Sequence, residues 1–173
     1  MLEKLNVNDF DKFYRLLEES FPPDEHRTYQ EHKEMLDNPK YCIYTVLDTE
    51  NNDIKAFITI WQFDDFAFVE HFAVNPNYRN SGLGSEILHE IMTIFSCLIC
   101  LEVELPDNET AKRRIEFYKR NGFYENEYPY IQPPISAGRK PIPLKIMTSG
   151  STITQEQFNK IKSILYSEVY NIK

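Results

Sequence analysis

The sequence lacks a long apolar run and a leader peptide. Its longest apolar stretch, residues 91–101, is interrupted by Thr93 and Ser96, so it is too short and too broken to span a bilayer. The first residues do not read as a basic segment followed by an apolar one, as a secretory leader would. These two absences predict a cytoplasmic protein without a membrane partner.

Cysteine is also scarce, and its placement argues against a metal site. Of the three cysteines, Cys97 and Cys100 have the C-x-x-C spacing of metal and redox sites. In a strand, however, residues i and i+3 point to opposite faces. No second cysteine pair or histidine cluster completes a zinc ligand set. We therefore expect Cys42, Cys97 and Cys100 to be buried free thiols, and we expect no metal ion.

Basic residues are fewer than acidic ones. The chain has 19 Lys and Arg against 27 Asp and Glu, which gives a formal net charge of −8 at pH 7. An acidic surface repels phosphates, which argues against nucleic acid as a partner, and it favours a cationic small molecule. The 173 residues, 42% of them hydrophobic, suit one globular domain with a proper core.

Periodicity and capping residues predict a mixed α/β chain. Helical spacing indicates helices over residues 8–19, 28–36, 85–94, 109–121 and 154–170. Runs of aromatic and β-branched residues indicate strands over residues 1–5, 41–47, 54–63, 66–74, 97–105, 123–128 and 143–147. The proline-containing connection over residues 129–141 is expected to be irregular. The pattern predicts a mostly antiparallel sheet of about seven strands, flanked by helices, with an extra C-terminal helix.

The most informative segment is the turn from Arg79 to Gly84, between a predicted strand and a predicted helix. A glycine-containing turn that opens a helix exposes unpaired N–H groups beside the positive end of the helix dipole, which suits a phosphate. A Walker loop would need Lys and Ser or Thr after the last glycine, but Ser85 and Glu86 follow here. The dinucleotide fingerprint needs three glycines, and this turn has two. An ordinary turn that the glycines only shape is the structural alternative.

The remaining pattern, R-x-x-G-x-G after A-V-N-P, resembles the acetyl-CoA-binding motif of the GNAT N-acetyltransferase superfamily. A second segment, F-Y-K-R-N-G-F over residues 117–123, is similar to the end of the family's late helix. The resemblance covers residues 54–123 well, residues 1–53 loosely and the C-terminal segment poorly. It implies the GNAT fold over residues 1–148, and we expect residues 149–173 to be a helical extension packed on the same domain.

The resemblance implies that acetyl-CoA is the cosubstrate and that its pyrophosphate is held by the backbone of the turn. The acceptor would be a primary amine of a small cationic molecule, acetylated by direct attack in a ternary complex. The cofactor-binding residues that the resemblance implies are Phe72, Ala73, Val74, Arg79, Asn80, Ser81, Gly82, Leu83, Gly84 and Ser85.

The resemblance also implies catalytic residues. Tyr118 matches the late-helix tyrosine that is proposed to protonate the coenzyme A thiolate, and a core tyrosine is the structural alternative. Glu102 matches the glutamate of an L-E-V triplet that resembles the base of ribosomal-protein alanine N-acetyltransferases. Glu70 matches a position from which other members use a carboxylate. Glu104 lies on the same strand face as Glu102, so the base stays open among these glutamates. Strand alternation places Phe68, Glu70, Phe72 and Val74 on one face and His71 on the opposite face.

Two other functions fit the same motifs. The fold could serve as a non-catalytic acyl-CoA-binding module, or the acceptor could be a protein N-terminus. The apolar stripe of the predicted C-terminal helix could pack on its own domain or on a second copy, which leaves a homodimer open.

Overall fold

The computed structural model describes residues 1–172, which form two compact units. Unit 1 comprises Met1–Pro22 and Arg27–Ile99, and unit 2 comprises Pro23–His26 and residues 100–172. Lys173, the end of the predicted C-terminal extension, lies outside the described residues. The predicted division of the chain after residue 148 stays a prediction.

The helices and strands confirm the predicted α/β class with mostly antiparallel strands. The helices are α1 (Phe10–Ser20), α2 (Tyr29–Glu34), α3 (Leu83–Ile94), α4 (Glu109–Arg120) and α5 (Gln155–Ile164). The strands are β1 (Glu3–Lys4), β2 (Tyr41–Leu47), β3 (Ile54–Gln62), β4 (Phe66–Val74), β5 (Leu98–Glu104), β6 (Phe123–Glu125), β7 (Tyr130–Gln132) and β8 (Ile142–Ser149). The described residues thus contain eight strands rather than about seven.

In unit 1, β1 to β4 pair in chain order, each antiparallel to the next. The helix α1 packs its apolar side on this sheet, and the rings of Phe13 and Phe57 meet edge to face with centroids 4.9 Å apart. Both rings are fully buried and belong to the core. The helix α2 begins with the predicted capping box, in which Thr28 and Glu31 satisfy each other's backbone N–H groups.

A β-bulge interrupts the pairing of β3 with β4 at Glu70. The register pairs Thr59 with His71 and Ile60 with Val69, so Glu70 is the extra residue on its strand. An extra residue shifts the alternation of side chains by one position beyond it.

The bulge changes which side chains of β4 share a face. Because Phe68 pairs with Trp61 and His71 with Thr59, Phe68 and His71 lie on the same face. Phe72, which pairs with Ile58, lies on the opposite face. The predicted common face of Phe68 and Phe72 is therefore wrong, since simple alternation cannot register an inserted residue.

In unit 2, β8 pairs antiparallel with β5 along one edge and with β6 and β7 along the other. The strand β7 falls within the segment 129–141 that was expected to be irregular, so that expectation is wrong for Tyr130–Gln132. Three residues are too few for a sequence pattern to show, and the strand exists because Ile142–Leu144 of β8 offer it a partner.

The C-terminal helix α5 begins with a capping box between Thr154 and Gln157. It continues into a π-helical turn over Leu165–Val169. Within unit 2, the ring of Phe158 lies 4.9 Å from that of Tyr128. Such wide turns inside helices often occur at functional sites.

The thiols and the helix lengths complete the description. All three cysteines are free, but only Cys100 is buried, whereas Cys42 and Cys97 are half-buried. Within residues 1–172, no helix has the length and apolar character needed to cross a membrane.

Candidate active site

The turn before α3 has the geometry of an anion site. Gly82 occupies the N-cap position with a left-handed φ of +85°, and no side chain caps the helix there. A Cβ at Gly82 would have no neighbour within 4 Å, so the space beside the turn is open. The N–H groups of a first helical turn lack intrahelical acceptors and lie at the positive end of the helix dipole. The backbone of this turn can therefore accept a phosphate.

A cleft of about 340 Å³ adjoins this turn in unit 1. Its walls are formed by Lys55, Asn77, Tyr78, Arg79, Ser81, Leu83 and Glu86. The ammonium group of Lys55 lies 3.4 Å from a carboxylate oxygen of Asp48 and 5.3 Å from the centre of the Tyr78 ring. Two cationic side chains, Lys55 and Arg79, thus line a cleft of an acidic protein, which suits an anionic ligand.

The sequence prediction included Arg79 but not Lys55. Lys55 lies near the start of β3, where its carbonyl accepts a hydrogen bond of 2.8 Å from the N–H of Asn75. The pairing of β3 with β4 is what brings Lys55 to the end of the motif strand, and the sequence offers no local signal for it.

The other predicted cofactor residues lie at the end of β4 and in the turn. Phe72 and Val74 are half-buried on one face of β4, whereas Ala73 is buried on the other. Asn80 adopts a left-handed φ of +62°. The N–H of Ser85 donates to the carbonyl of Gly82 at 3.0 Å. The cofactor-binding roles of these residues stay predictions.

Glu70, one candidate base, is held in a buried ion pair in unit 1. A guanidinium nitrogen of Arg27 lies 2.6 Å from its Oε1, and the two side chains are only 5% and 2% exposed. The other carboxylate oxygen, Oε2, has no hydrogen-bond partner among the described residues and lies 3.6 Å from Nδ1 of His71. Burial alone would raise the pKa of Glu70, but Arg27 and His71 hold it well below its ordinary value.

The contact between Glu70 and His71 is a second consequence of the bulge. Alternation had placed His71 on the face opposite Glu70, and that prediction is wrong because the inserted residue brings neighbouring side chains together. His71 also contacts Thr59, whose hydroxyl accepts from the His71 backbone N–H at 2.9 Å.

Glu102, the other candidate base, accepts hydrogen bonds from two tyrosines of unit 2. Tyr130, on β7, donates its hydroxyl to Oε1, and the hydroxyl of Tyr170 lies 2.8 Å from Oε2. Burial and the charge of Glu102 both raise the pKa of Tyr130, so this phenol stays protonated and donates. The sequence did not point to either tyrosine, since Tyr170 is 68 residues from Glu102 along the chain.

The register of unit 2 places several polar side chains on one face of the sheet. Glu102 pairs with Ile146, and both Glu104 and Tyr130 pair with Leu144. Paired residues share a face, so Glu102, Glu104 and Tyr130 lie on the same one. Glu104 is half-exposed and lies 3.7 Å from Arg114.

Tyr118, the candidate acid, lies on α4 in unit 2. Its side chain is buried, and its ring contacts that of Phe123 with centroids 5.8 Å apart. Burial raises the pKa of Tyr118 to about 12, so the phenol is protonated at neutral pH. Both the catalytic role and the alternative of a core residue are compatible with this position.

Comparison with known proteins gives a family match and a similar solved structure. The model of the acetyltransferase (GNAT) family matches residues 10–123. A solved structure from Bacteroides thetaiotaomicron, described as an acetyltransferase of the GNAT family, is 36% identical, with a TM-score of 0.90. The similarity covers 100% of this chain and 99% of that one.

Two further matches are more distant. YjbC of Bacillus subtilis, which is named as an acetyltransferase, is 30% identical over 113 residues, 64% of this chain. The matched region spans 56% of that protein's length. An aminoglycoside 6′-N-acetyltransferase complexed with coenzyme A is 16% identical with a TM-score of 0.64, covering 86% of this chain and 96% of that one, which shows a shared fold.

These matches bear on the predicted enzyme class as well as on the fold. The family model, the Bacteroides structure and the curated relative all carry the name of acetyltransferases, and they confirm the class that the motifs predicted. The family model spans both the turn before α3 and the helix α4. The chain belongs to the acetyltransferase (GNAT) family.

Proposed function

We propose that the protein transfers the acetyl group of acetyl-CoA to a primary amine of a small cationic molecule. The observation that carries this proposal is the turn before α3, where an open, left-handed Gly82 begins a helix beside Lys55 and Arg79. Family membership and the coenzyme A complex of the aminoglycoside acetyltransferase support the choice of ligand.

The residues present fit the pyrophosphate of acetyl-CoA, which supplies the acetyl thioester when it is bound. The N–H groups of the turn and the dipole of α3 hold the phosphate oxygens, and the cations of Lys55 and Arg79 add attraction. A side chain at Gly82 would fill the open space that the phosphates need. Phe72, Ala73 and Val74 continue the binding surface along the end of β4.

Tyr118 serves as the acid in this proposal. As the nitrogen–carbon bond forms and the carbon–sulfur bond breaks, the Tyr118 hydroxyl would give its proton to the coenzyme A sulfur, and the proton that the amide nitrogen loses would restore the phenol. Burial keeps the phenol protonated at neutral pH, the form that can donate.

Glu102 is the better suited of the two carboxylates to meet the substrate ammonium and to take its proton. Two tyrosines donate to Glu102, and neutral phenols orient a carboxylate without adding charge. Glu70, in contrast, is bound by the Arg27 guanidinium, and its low pKa makes it a weak base. Glu70 then supports the bulge of β4 rather than the proton transfer.

The net charge of −8 supports a cationic acceptor, and the aminoglycoside 6′-N-acetyltransferase is a relative named for an amine-bearing small molecule. The cytoplasmic location, the lack of nucleic-acid and membrane partners and the homodimer stay predictions.

The test is to place a charged side chain at Gly82. Gly82→Glu should abolish acetyl-CoA binding, because it brings both bulk and negative charge to the phosphate position. Gly82→Ala is the matched control, since it shares the strain of a left-handed φ but adds one uncharged methyl group. Calorimetry should show a much smaller loss of affinity for Gly82→Ala than for Gly82→Glu.

The same proteins are then assayed for release of free coenzyme A with a panel of amines. Thiol release by the parent and none by Gly82→Glu would support acetyl transfer at this site. Unchanged acetyl-CoA affinity in a folded Gly82→Glu protein would show that the ligand binds elsewhere. Tight binding without thiol release for any amine would favour the non-catalytic binding module.

A further inference from the structure

Three polar groups close together in the sequence of unit 2 are buried without hydrogen-bond partners. Among residues 1–172, no partner is present for Nε2 of Gln132, Oγ of Ser136 or Nε of Arg139. Gln132 is only 4% exposed, and Arg139 forms no ion pair with a described carboxylate. These residues define the 132–139 loop, which begins at the last residue of β7.

Such groups are rare in native proteins because each one destabilises the fold. A buried donor without an acceptor has lost its hydrogen bonds to water and gained none in return. Most of the other buried polar side chains in unit 2 are satisfied, as Asn126 is by Thr148 and Ile153. Three unsatisfied groups within eight residues therefore indicate a segment shaped for a ligand rather than for the fold alone.

The end of the loop is fixed in place. The N–H of Lys140 donates to a carboxylate oxygen of Asp24 at 3.2 Å, and the N–H of Arg139 donates to the carbonyl of Ser136 at 3.1 Å. Asp24 thus binds the backbone N–H of Lys140, next to Arg139. The guanidinium of Arg139 stays available. The turn holds Ser136 and Arg139 together without bonding their side chains.

The loop starts on the face of the sheet that carries Glu102. Gln132 and Tyr130 alternate with the exposed Ile131 and point to the same side of β7. Tyr130 donates to Glu102, and Gln132 lies one step further along the strand, about 7 Å away. Gln132, the first residue of the loop, therefore lies on the same face of the sheet as the Glu102 carboxylate.

The hydrogen-bonding groups and the charge of the loop indicate which class of ligand it can bind. The side-chain groups of Gln132 and Arg139 are N–H donors, and the guanidinium also carries a positive charge. Protonated polyamines offer only N–H donors and positive charge, so they cannot satisfy these groups. An oxygen anion can, and a bidentate guanidinium contact favours carboxylate or phosphate.

We propose that the 132–139 loop binds an anionic oxygen group of the acceptor, so that the substrate is a primary amine that also carries a carboxylate or a phosphate. This inference rests on the proposed acetyl transfer and on Glu102 as the group that meets the ammonium. The acceptor is then zwitterionic, with its ammonium at Glu102 and its oxygen anion at Arg139.

The test uses amines that differ only in the oxygen anion. Lysine and cadaverine differ by a carboxylate, and glucosamine 6-phosphate and glucosamine differ by a phosphate. The parent should show a kcat/KM at least tenfold higher for one anion-bearing amine than for the partner that lacks the anion, and the pair that shows it identifies the anion. Arg139→Gln should remove most of this preference while leaving acetyl-CoA affinity unchanged. Arg15→Gln, at an exposed arginine of α1, is the charge-matched control and should keep the preference.

Calorimetry of the same amines provides a readout that needs no turnover. Tighter binding of an anionic amine than of its partner, lost in Arg139→Gln, supports the inference even if no thiol is released, in which case only the proposed acetyl transfer fails. Equal kcat/KM and equal affinity within both pairs would overturn the inference and leave acetyl transfer intact. A preference that Arg139→Gln retains would also overturn it, because the anion would then be bound by other residues.

Discussion

Each unit carries a strand glutamate that the sequence proposed as a base, but the two glutamates have different partners. In unit 1, the guanidinium of Arg27 binds Glu70 inside the core. In unit 2, the hydroxyls of Tyr130 and Tyr170 bind Glu102. A cation neutralises a carboxylate and stabilises its charged form, whereas phenols orient it and add no charge. The first environment suits a structural role, and the second suits contact with a cationic substrate.

The two units also differ in the candidate functional residues that they contain. Unit 1 contains the turn at Gly82 and the cleft lined by Lys55 and Arg79. Unit 2 contains Tyr118, Glu102 and the unsatisfied donors of the 132–139 loop. In the proposed function, donor binding belongs to unit 1, and acid–base chemistry with acceptor recognition belongs to unit 2. Three sets of substitutions test this comparison.

The largest expected effect is that of removing the acid from unit 2. Tyr118→Phe should fold and bind acetyl-CoA like the parent but lose turnover on the order of 10²–10⁴-fold, because it lacks only the proton that the thiolate needs. Calorimetry and thiol-release kinetics measure the two properties separately. Phe117→Leu, a change on the same helix that leaves the hydroxyl of Tyr118 in place, is the control. Near-parental turnover of Tyr118→Phe would reduce Tyr118 to a core residue.

A somewhat smaller effect is expected from breaking the ion pair of unit 1. Arg27→Met leaves the charge of Glu70 buried without its cation, which should lower the free energy of unfolding by about 3–5 kcal/mol. The double variant Arg27→Met with Glu70→Leu removes both charges and should recover much of this loss.

Denaturant unfolding of both variants gives the comparison, and Arg15→Met provides an exposed arginine control with an effect within about 0.5 kcal/mol. A small loss in Arg27→Met would show that Glu70 does not depend on this cation, and the contrast between the two glutamates would then disappear.

Local signals in the sequence predicted much of the fold. The capping boxes at Thr28 and Thr154 involve residues three apart, so their helices could be predicted from sequence alone. The strands Tyr41–Leu47 and Phe66–Val74 have the predicted bounds, because their runs of aromatic and β-branched residues are long. The turn before α3 could be predicted because its glycines and the strand and helix that flank it are adjacent in the sequence.

The surroundings of the candidate catalytic residues depend on contacts that no short pattern contains. Arg27 is 43 residues from Glu70, and Tyr170 is 68 residues from Glu102. The bulge at Glu70 appears only in the register of β3 with β4. The sequence therefore proposed both glutamates on equal terms, and only their partners distinguish them.

The smallest expected effect, and the most direct comparison of the two glutamates, comes from Glu102→Gln and Glu70→Gln. Glutamine keeps the shape of the side chain but cannot take a proton. If Glu102 deprotonates the ammonium, Glu102→Gln should lower the rate at neutral pH on the order of tenfold. This is less than is usual for acid–base catalysis, because amine that is already neutral bypasses the step. Raising the pH should partly restore the rate, since it supplies free amine.

The pH–rate profiles of the other variants are needed to interpret the result for Glu102→Gln. Glu70→Gln should have the pH–rate profile of the parent, because a carboxylate bound to Arg27 does not titrate near neutral pH. Glu104→Gln, on the same strand face as Glu102 but half-exposed beside Arg114, is the matched control. A Glu102→Gln protein with a raised KM, more so at low salt, and a parental pH profile would instead make Glu102 an anchor for the cation. If Glu70→Gln alone shifts the profile, the base lies in unit 1, and the assignment of proton transfer to unit 2 is wrong.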